Sequence, residues 1–346
     1  MKRTIHRVSS LLVLASALVF FVSPGFAQYS RTDLVSNVKG MAAHTDTNLV
    51  NAWGIAFFPT SPIWVSDEAS GLSTLYDHQG KKQSLVVTIP SPSSVLGTPT
   101  GIVANGTSDF VVSENGKSGP GFFIFDSEDG SISGWNPTVD PTNAVLATSV
   151  PGAFFTGLAS GNSGGKNFLF AADQANNVID MFDASFTVAG SFTDPAAAAL
   201  GLSAFNVQNI NGLLYVTFAG FFSGAPGGIV DVFATDGTLI KTLTSQGHLN
   251  GPWGLAMAPA NFGPFSNDLL VGNLFDGRIN AFDPNTGAFL GQLRNQQGQA
   301  ISIDGLWGLR FGAGTPQNGK TNDLFFTAGP VFYSRGLLGV ISPTGH

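Results

Sequence analysis

Asp67, Glu114, Asp173 and Asn273 each stand at the end of a short strand-forming run: Ile63-Trp64-Val65-Ser66, Phe110-Val111-Val112, Phe168-Leu169-Phe170-Ala171 and Leu269-Leu270-Val271. Oxygen ligands converging in this way would suit a hard divalent cation such as Ca²⁺. Such an ion would lower the pKa of a bound water enough for attack on a lactone or ester. His44 and His248 are the histidines placed to serve as acid or base. His6 falls in the N-terminal segment, His78 in a turn, and His346 ends the chain. A second set is aromatic and amide: Trp53, Trp253, Trp307 and Asn206, with Asn51, Asn250 and Asp304 just ahead of the tryptophans. Aromatic surface beside a few polar groups fits a small molecule, a glycan or a protein. A scaffold role fits both sets as well, because Trp packs between repeated units and Asp bonds the amides of a following turn. Glu114, Asn206 and Phe218 break the repeat and are the better targets for functional mutation. The serines lack a nucleophile-elbow context, and no P-loop or zinc motif occurs.

The positions of these residues follow from a repeat. Asn51-Ala52-Trp53-Gly54-Ile55, Pro252-Trp253-Gly254-Leu255 and Leu306-Trp307-Gly308-Leu309 are strong copies, with Pro99-Thr100-Gly101-Ile102 and Phe155-Thr156-Gly157-Leu158 between them. With Val207 as the fourth mark, the copies recur every 47 to 56 residues. The first unit reads as four strands: Gly54 to Phe58, Ile63 to Ser66, Leu72 to Asp77 and Leu85 to Ile89. In the second, Phe110-Val111-Val112 is expected as second strand and Phe122 to Asp126 as third. Four strands per ~50 residues, repeated, predict an all-β, six-bladed β-propeller of antiparallel blades. The sixth unit supplies only three strands, so Thr32 to Ser36 is expected to pair with Val340-Ile341 and close the ring, removing an edge. Pro195 to Leu200 reads as a loop with one helical turn. On this alignment the residues before the marks form one ring (Trp53, Thr100, Thr156, Asn206, Trp253, Trp307). Those ending the second strands form another on the same face (Asp67, Glu114, Asp173, Phe218, Asn273, Ala328).

Lys2, Arg3 and Arg7, the apolar run Leu11 to Val22 and Gly25-Phe26-Ala27 read as a signal peptide over residues 1–27, leaving residues 28–346 as a single domain. The expected address is the periplasm or the extracellular medium. The chain has no Cys, which excludes a disulfide framework. Removing the three leader basic residues takes the formal charge from −7 to −10, an acidic balance that argues against nucleic acid. A membrane association after cleavage is not expected, and a monomer is.

Asn48-Leu49-Val50-Asn51-x-Trp53-Gly54, Ile132-Ser133-Gly134-Trp135-Asn136, Phe192-Thr193-Asp194-Pro195, Leu249-Asn250-x-Pro252-Trp253-Gly254-Leu255 and Ile303-Asp304-Gly305-Leu306-Trp307-Gly308-Leu309-Arg310-Phe311 together resemble an exported bacterial family of conserved hypothetical β-propellers. The resemblance covers the chain after the leader and carries no catalytic residues with it. More distantly, the strand grammar is similar to NHL-type and gluconolactonase-like six-bladed propellers, an analogy of fold that does not fix function. The leading expectation is a binding or interaction module that uses the face where the inner strands begin. The alternative is a metal-dependent hydrolase or lyase, lactonase-like, with its cation at the channel mouth. A purely structural envelope component is a third.

Overall fold

The computed structural model describes residues 28–94 and 96–344. The expected signal peptide lies outside the described residues. Six antiparallel sheets follow in chain order, and each inner strand packs on the inner strand of the next, the sixth on the first. The molecule is a six-bladed β-propeller. From the axis outward, blade 1 comprises Ala52–Ala56, Ile63–Asp67, Leu72–Tyr76 and Lys82–Thr88. Blades 2 to 5 have inner strands Pro99–Ala104, Phe155–Ser163, Ser203–Ile210 and Pro252–Met257. Blade 6 begins with Leu306–Phe311, Leu324–Ala328 and Leu337–Thr344.

The first strand completes the last blade. Gln28–Ser36 runs antiparallel to Leu337–Thr344, with Arg31 opposite Ile341 and Thr32 opposite Val340. This strand hides the open edge that blade 6 would otherwise present. Tyr29 anchors it: the ring is buried against Phe262, and its hydroxyl donates to the Phe262 carbonyl at 2.9 Å. The apolar core is divided into clusters between neighbouring blades rather than gathered at one centre. The helical turn is present as Pro195–Ala199, with the Asp194 side chain accepting from the Ala196 amide at 2.9 Å.

The glycine of the Trp-Gly repeat has a steric cause. A Cβ on Gly54 would lie 2.4 Å from the Thr100 carbonyl of blade 2, and one on Gly254 would lie 2.5 Å from the Trp307 carbonyl of blade 6. Inner strands therefore approach one another too closely for a side chain at that register. Blade 4 solves the same contact differently. Its strand ladder puts Asn206, not Val207, in the glycine register, pairing with Thr217 as Gly254 pairs with Gly272. The Asn206 amide donates to the Trp253 carbonyl at 2.7 Å, replacing steric closeness with a hydrogen bond to the next blade. The aromatic ring position in blade 4 accordingly belongs to Phe205, one residue earlier than expected.

Blade 2 also departs from the expected alignment. Its second strand is Phe123–Ser127 and its third Ser131–Trp135, with Val145–Ser149 outermost. Phe110-Val111-Val112 is not a blade strand. Val111–Glu114 pairs with Lys117–Pro120 in a separate two-stranded hairpin. Both segments are short, unbroken apolar runs, so hydrophobic pattern alone gave no reason to prefer the later one. Ser127, opposite Pro99 as Asp67 is opposite Ala52, takes the place expected for Glu114.

Candidate functional site

The upper face, where inner strands begin and second strands end, is sealed by the tryptophans. Trp53 and Trp307 stack with ring centres 3.7 Å apart. Trp253 meets them edge-on at 6.3 and 5.8 Å, and Phe205 meets Trp307 at 5.9 Å. Trp307 is 0% exposed. Trp307 Nε1 donates to Asn51 Oδ1 at 3.0 Å, and Trp253 Nε1 reaches across the ring to the Thr156 carbonyl at 2.8 Å. Asn51 holds a left-handed backbone (φ 48°) and donates to Glu68 Oε2 at 2.7 Å, so both ends of its amide are engaged. Edge-on and stacked aromatic contacts of this kind stabilise beyond their buried area. The three tryptophans thus meet each other where a ligand would have met them.

The expected cation ligands are dispersed. Glu114 lies exposed on the blade 2 hairpin. Asp173 accepts from the amides of Phe154 and Asn176 at 3.1 and 3.2 Å and from Asn176 Nδ2 at 2.6 Å. Asn273 Nδ2 donates to the His248 carbonyl at 2.9 Å. Asp67 is buried beside Thr74, Asp46 and Lys82, and burial pushes its carboxyl well above the usual range, with Asp46 adding to the shift and Thr74 opposing it. Among the described residues, no group of three or more His, Asp or Glu side chains is arranged to hold a metal ion. The histidines stand away from the axis. His44 is exposed on the two-residue strand at the outer edge of blade 6, and the exposed His248 ring stacks at 3.5 Å on Phe289 of an outermost strand.

The other acids in or next to blade strands divide into two kinds. Asp77, Asp183 and Asp283 end third strands and accept turn amides, such as Gln79 and Lys81 on Asp77, both at 2.9 Å. Asp126 instead lies inside blade 2, beside the Thr100 hydroxyl at 2.8 Å and the Gly101 amide. Burial raises it to about 6 against the lowering effect of those bonds. Asp231 is raised further, to about 7, by burial and by the neighbouring Asp194, although Thr242 lowers it.

Above the plug, the upper face is aromatic and exposed. Phe221 and Tyr333 come from turns of blades 4 and 6 and meet over Trp307, with ring centres 6.3 Å apart. Next to them Phe222 is 63% and Phe332 95% exposed, and Val331 and Phe275 also face solvent. Val331, Phe332 and Tyr333 have φ of 58°, 52° and 65° in succession. A left-handed conformation costs roughly 1–2 kcal/mol per residue for side chains with a Cβ. Asp304, exposed, helps hold this turn by accepting the Val331 amide at 2.8 Å. Asn250, half-buried, accepts the Phe275 amide on its carbonyl at 3.3 Å. Two of the expected ligand residues therefore support the exposed aromatic turns. Phe222 and Phe332 themselves carried no sequence signal, since phenylalanine is abundant throughout the chain.

The lower end of the channel is open, with a cavity of about 230 Å³ lined by Ser160, Gln208, Asn209 and Arg310 among apolar residues. Two places after the glycine register the inner strands carry Ala56, Val103, Ala159, Gln208, Ala256 and Arg310. The two polar exceptions in that series are a signal that a register-by-register comparison could have found.

These features define a class: a six-bladed propeller with one end of its channel sealed and the other open. No protein-family model matches the sequence. The chain is 36% identical over 327 residues to uncharacterized protein R648 of Acanthamoeba polyphaga mimivirus, covering 89% of this chain and 78% of that one. It is 34% identical over 325 residues to uncharacterized protein L690 of the same virus, covering 88% and 83%. The chain belongs to the family of these viral proteins. Among solved structures, a streptogramin B lyase superimposes with a TM-score of 0.57 at 11% identity, covering 93% of this chain and 100% of the lyase. At that identity the likeness concerns fold alone.

Proposed function

We propose that the protein is a binding module that docks a protein partner through its upper face. The observation that carries this reading is Phe332, 95% exposed at the middle of a left-handed turn. Backbone strain of that kind persists only where surrounding structure enforces it, and it clusters at functional positions. Exposed phenylalanines around a sealed floor offer contact area without a pocket, which suits a macromolecular surface and not an enclosed small molecule. Export of the mature domain, to periplasm or medium, is part of the same proposal and rests on the leader-like residues 1–27. The cation-dependent hydrolase gains no support from the dispersed positions of Asp67, Glu114, Asp173 and Asn273.

A photo-crosslinking amino acid at position 332 tests the docking face, with the same group at Gly164, on a lower-face hairpin, as control. Crosslinking to a defined protein at 332, absent at 164 and reduced by Phe222→Ser, is the expected result. Equal crosslinking at the two positions would remove the assignment of the upper face.

A further inference from the structure

Arg310 is the side chain in the channel whose charge has no counterpart. It lies on the inner strand of blade 6 and borders both the lower cavity and the narrow space above it. Among the described residues two contacts engage its guanidinium: a long hydrogen bond of 3.4 Å to the Phe57 carbonyl, and the Phe57 ring, 4.6 Å from Cζ. Among the described residues the ion pairs are Arg31 with Asp33 and Lys82 with Asp46, so no carboxylate lies within ion-pair distance of Arg310. A guanidinium carries five N–H donors in a planar fork, and most of this fork is uncommitted. A cation half-removed from water without an anion is costly, and one facing a cavity is available to a ligand.

The surroundings narrow the chemistry. Gln208 lines the same space from blade 4, two blades round the ring from blade 6, and Ser160 lines it from blade 3, directly across the axis. Asn209 is committed, donating to the Ser160 carbonyl at 2.9 Å and accepting the Gly212 amide at 3.0 Å. Gln208 is the free amide that lines the same cavity as the guanidinium. Ile55, Ile102 and Leu158 supply the apolar wall. At about 230 Å³ the cavity is smaller than the ~300–1,000 Å³ that encloses drug-sized ligands. A short acid fits that volume and a nucleotide does not.

We infer that the lower mouth of the channel is a binding site for a small carboxylate, held by Arg310 with Gln208 lining the same cavity. The planar fork matches a carboxylate through two parallel N–H···O bonds. Burial lowers the guanidinium to about 10, so it stays charged at neutral pH. The site lies at the opposite end of the channel from the docking face and stands or falls separately from it.

Calorimetric titration of the purified protein at constant ionic strength tests this, with acetate, lactate and butyrate as probes and inorganic phosphate as the comparison anion. At least one carboxylate should bind and raise the melting temperature. Arg310→Met should weaken that binding by about 10- to 100-fold, the weight of a charge-assisted hydrogen-bond pair. Arg310→Lys, which keeps the charge and loses the fork, should fall between. Should Arg310→Met fail to fold, Gln208→Ala takes its place and should weaken binding by several-fold. The inference is overturned if no carboxylate binds at about 10 mM, far above the range of specific sites. Equal binding by wild type and Arg310→Met overturns it as well, and so does preference for phosphate over every carboxylate.

Discussion

At its upper end the channel is filled by Trp53, Trp253, Trp307 and Phe205, while at its lower end it widens around Arg310 and Gln208. Both ends are made by the same inner strands, only three residues apart in register. Before the glycine position, four blades place an aromatic residue. Two places after it, four blades place Ala or Val. Close approach of the strands at the glycine fixes how much room remains on either side, and side-chain volume then decides which end shuts. The scaffold therefore needs few departures from its repeat to make two different surfaces. Breaking the seal should damage stability, whereas altering the lower mouth should leave the fold intact.

The largest effect is expected from the seal itself. Trp307→Ala removes a fully buried ring stacked on Trp53 and leaves Asn51 without its indole donor. Loss of about 3–5 kcal/mol is expected, the usual range for truncating a buried Trp. Thermal or denaturant unfolding measures it. A loss below 1 kcal/mol would show that the tryptophans are not a structural plug, and would return them to the role of ligand contacts.

Next comes pH. The Asp231 carboxyl is raised to about 7 in the folded protein, first by burial and then by Asp194. The unfolded chain releases this proton near 4. Between those values the folded state holds a proton that the unfolded state has lost, so stability is full below about 4, falls as pH rises to about 7, and is level above. Asp231→Asn should flatten that part of the profile, so that its stability relative to the native chain rises by about 4 kcal/mol between pH 4 and pH 8. Melting curves of both proteins from pH 4 to 8 decide the matter. Parallel curves would mean that Asp231 keeps an ordinary carboxylate pKa in its buried site.

Blade 4 offers a smaller test of how the ring is held together. Asn206→Gly restores the repeat but deletes the bond to the Trp253 carbonyl. A cost of about 1 kcal/mol is expected. An unchanged melting temperature would show that steric approach alone sets the spacing between blades 4 and 5.

The propeller was legible because its cause is periodic. A close approach that excludes Cβ recurs in five blades, and so the sequence repeats Gly there. The closing strand was legible from a missing fourth strand in the last repeat. The two misplacements have local causes. In blade 2 the apolar run that leads into a hairpin, Val111–Glu114 with Lys117–Pro120, competes with the true second strand, and hydropathy does not distinguish them. In blade 4 an amide does the work of absent volume, so the residue in the glycine register did not look like a glycine. The chemistry was less legible. Strand-end acids such as Asp67 and Asp173 share a face, yet their side chains are directed into separate blades and their own turns. Trp53, Trp253 and Trp307 were placed correctly on one face, but whether rings at a mouth stand apart or meet depends on interblade distance, which no single repeat records.

The smallest effect expected is also the sharpest for the upper face. Phe332 is almost wholly exposed, so removing its ring forfeits little packing, and its φ of 52° is one that glycine adopts without penalty. Phe332→Gly should therefore keep or raise stability, by up to about 1 kcal/mol after allowing for the greater entropy of glycine in the unfolded chain. The same substitution should abolish crosslink-detected docking when the probe is moved to Phe222. Stability gained and docking lost together would mark Phe332 as held against its own conformational preference for the sake of contact. A fall in melting temperature instead would mean that the ring packs in solution, and the upper face would lose its central anchor.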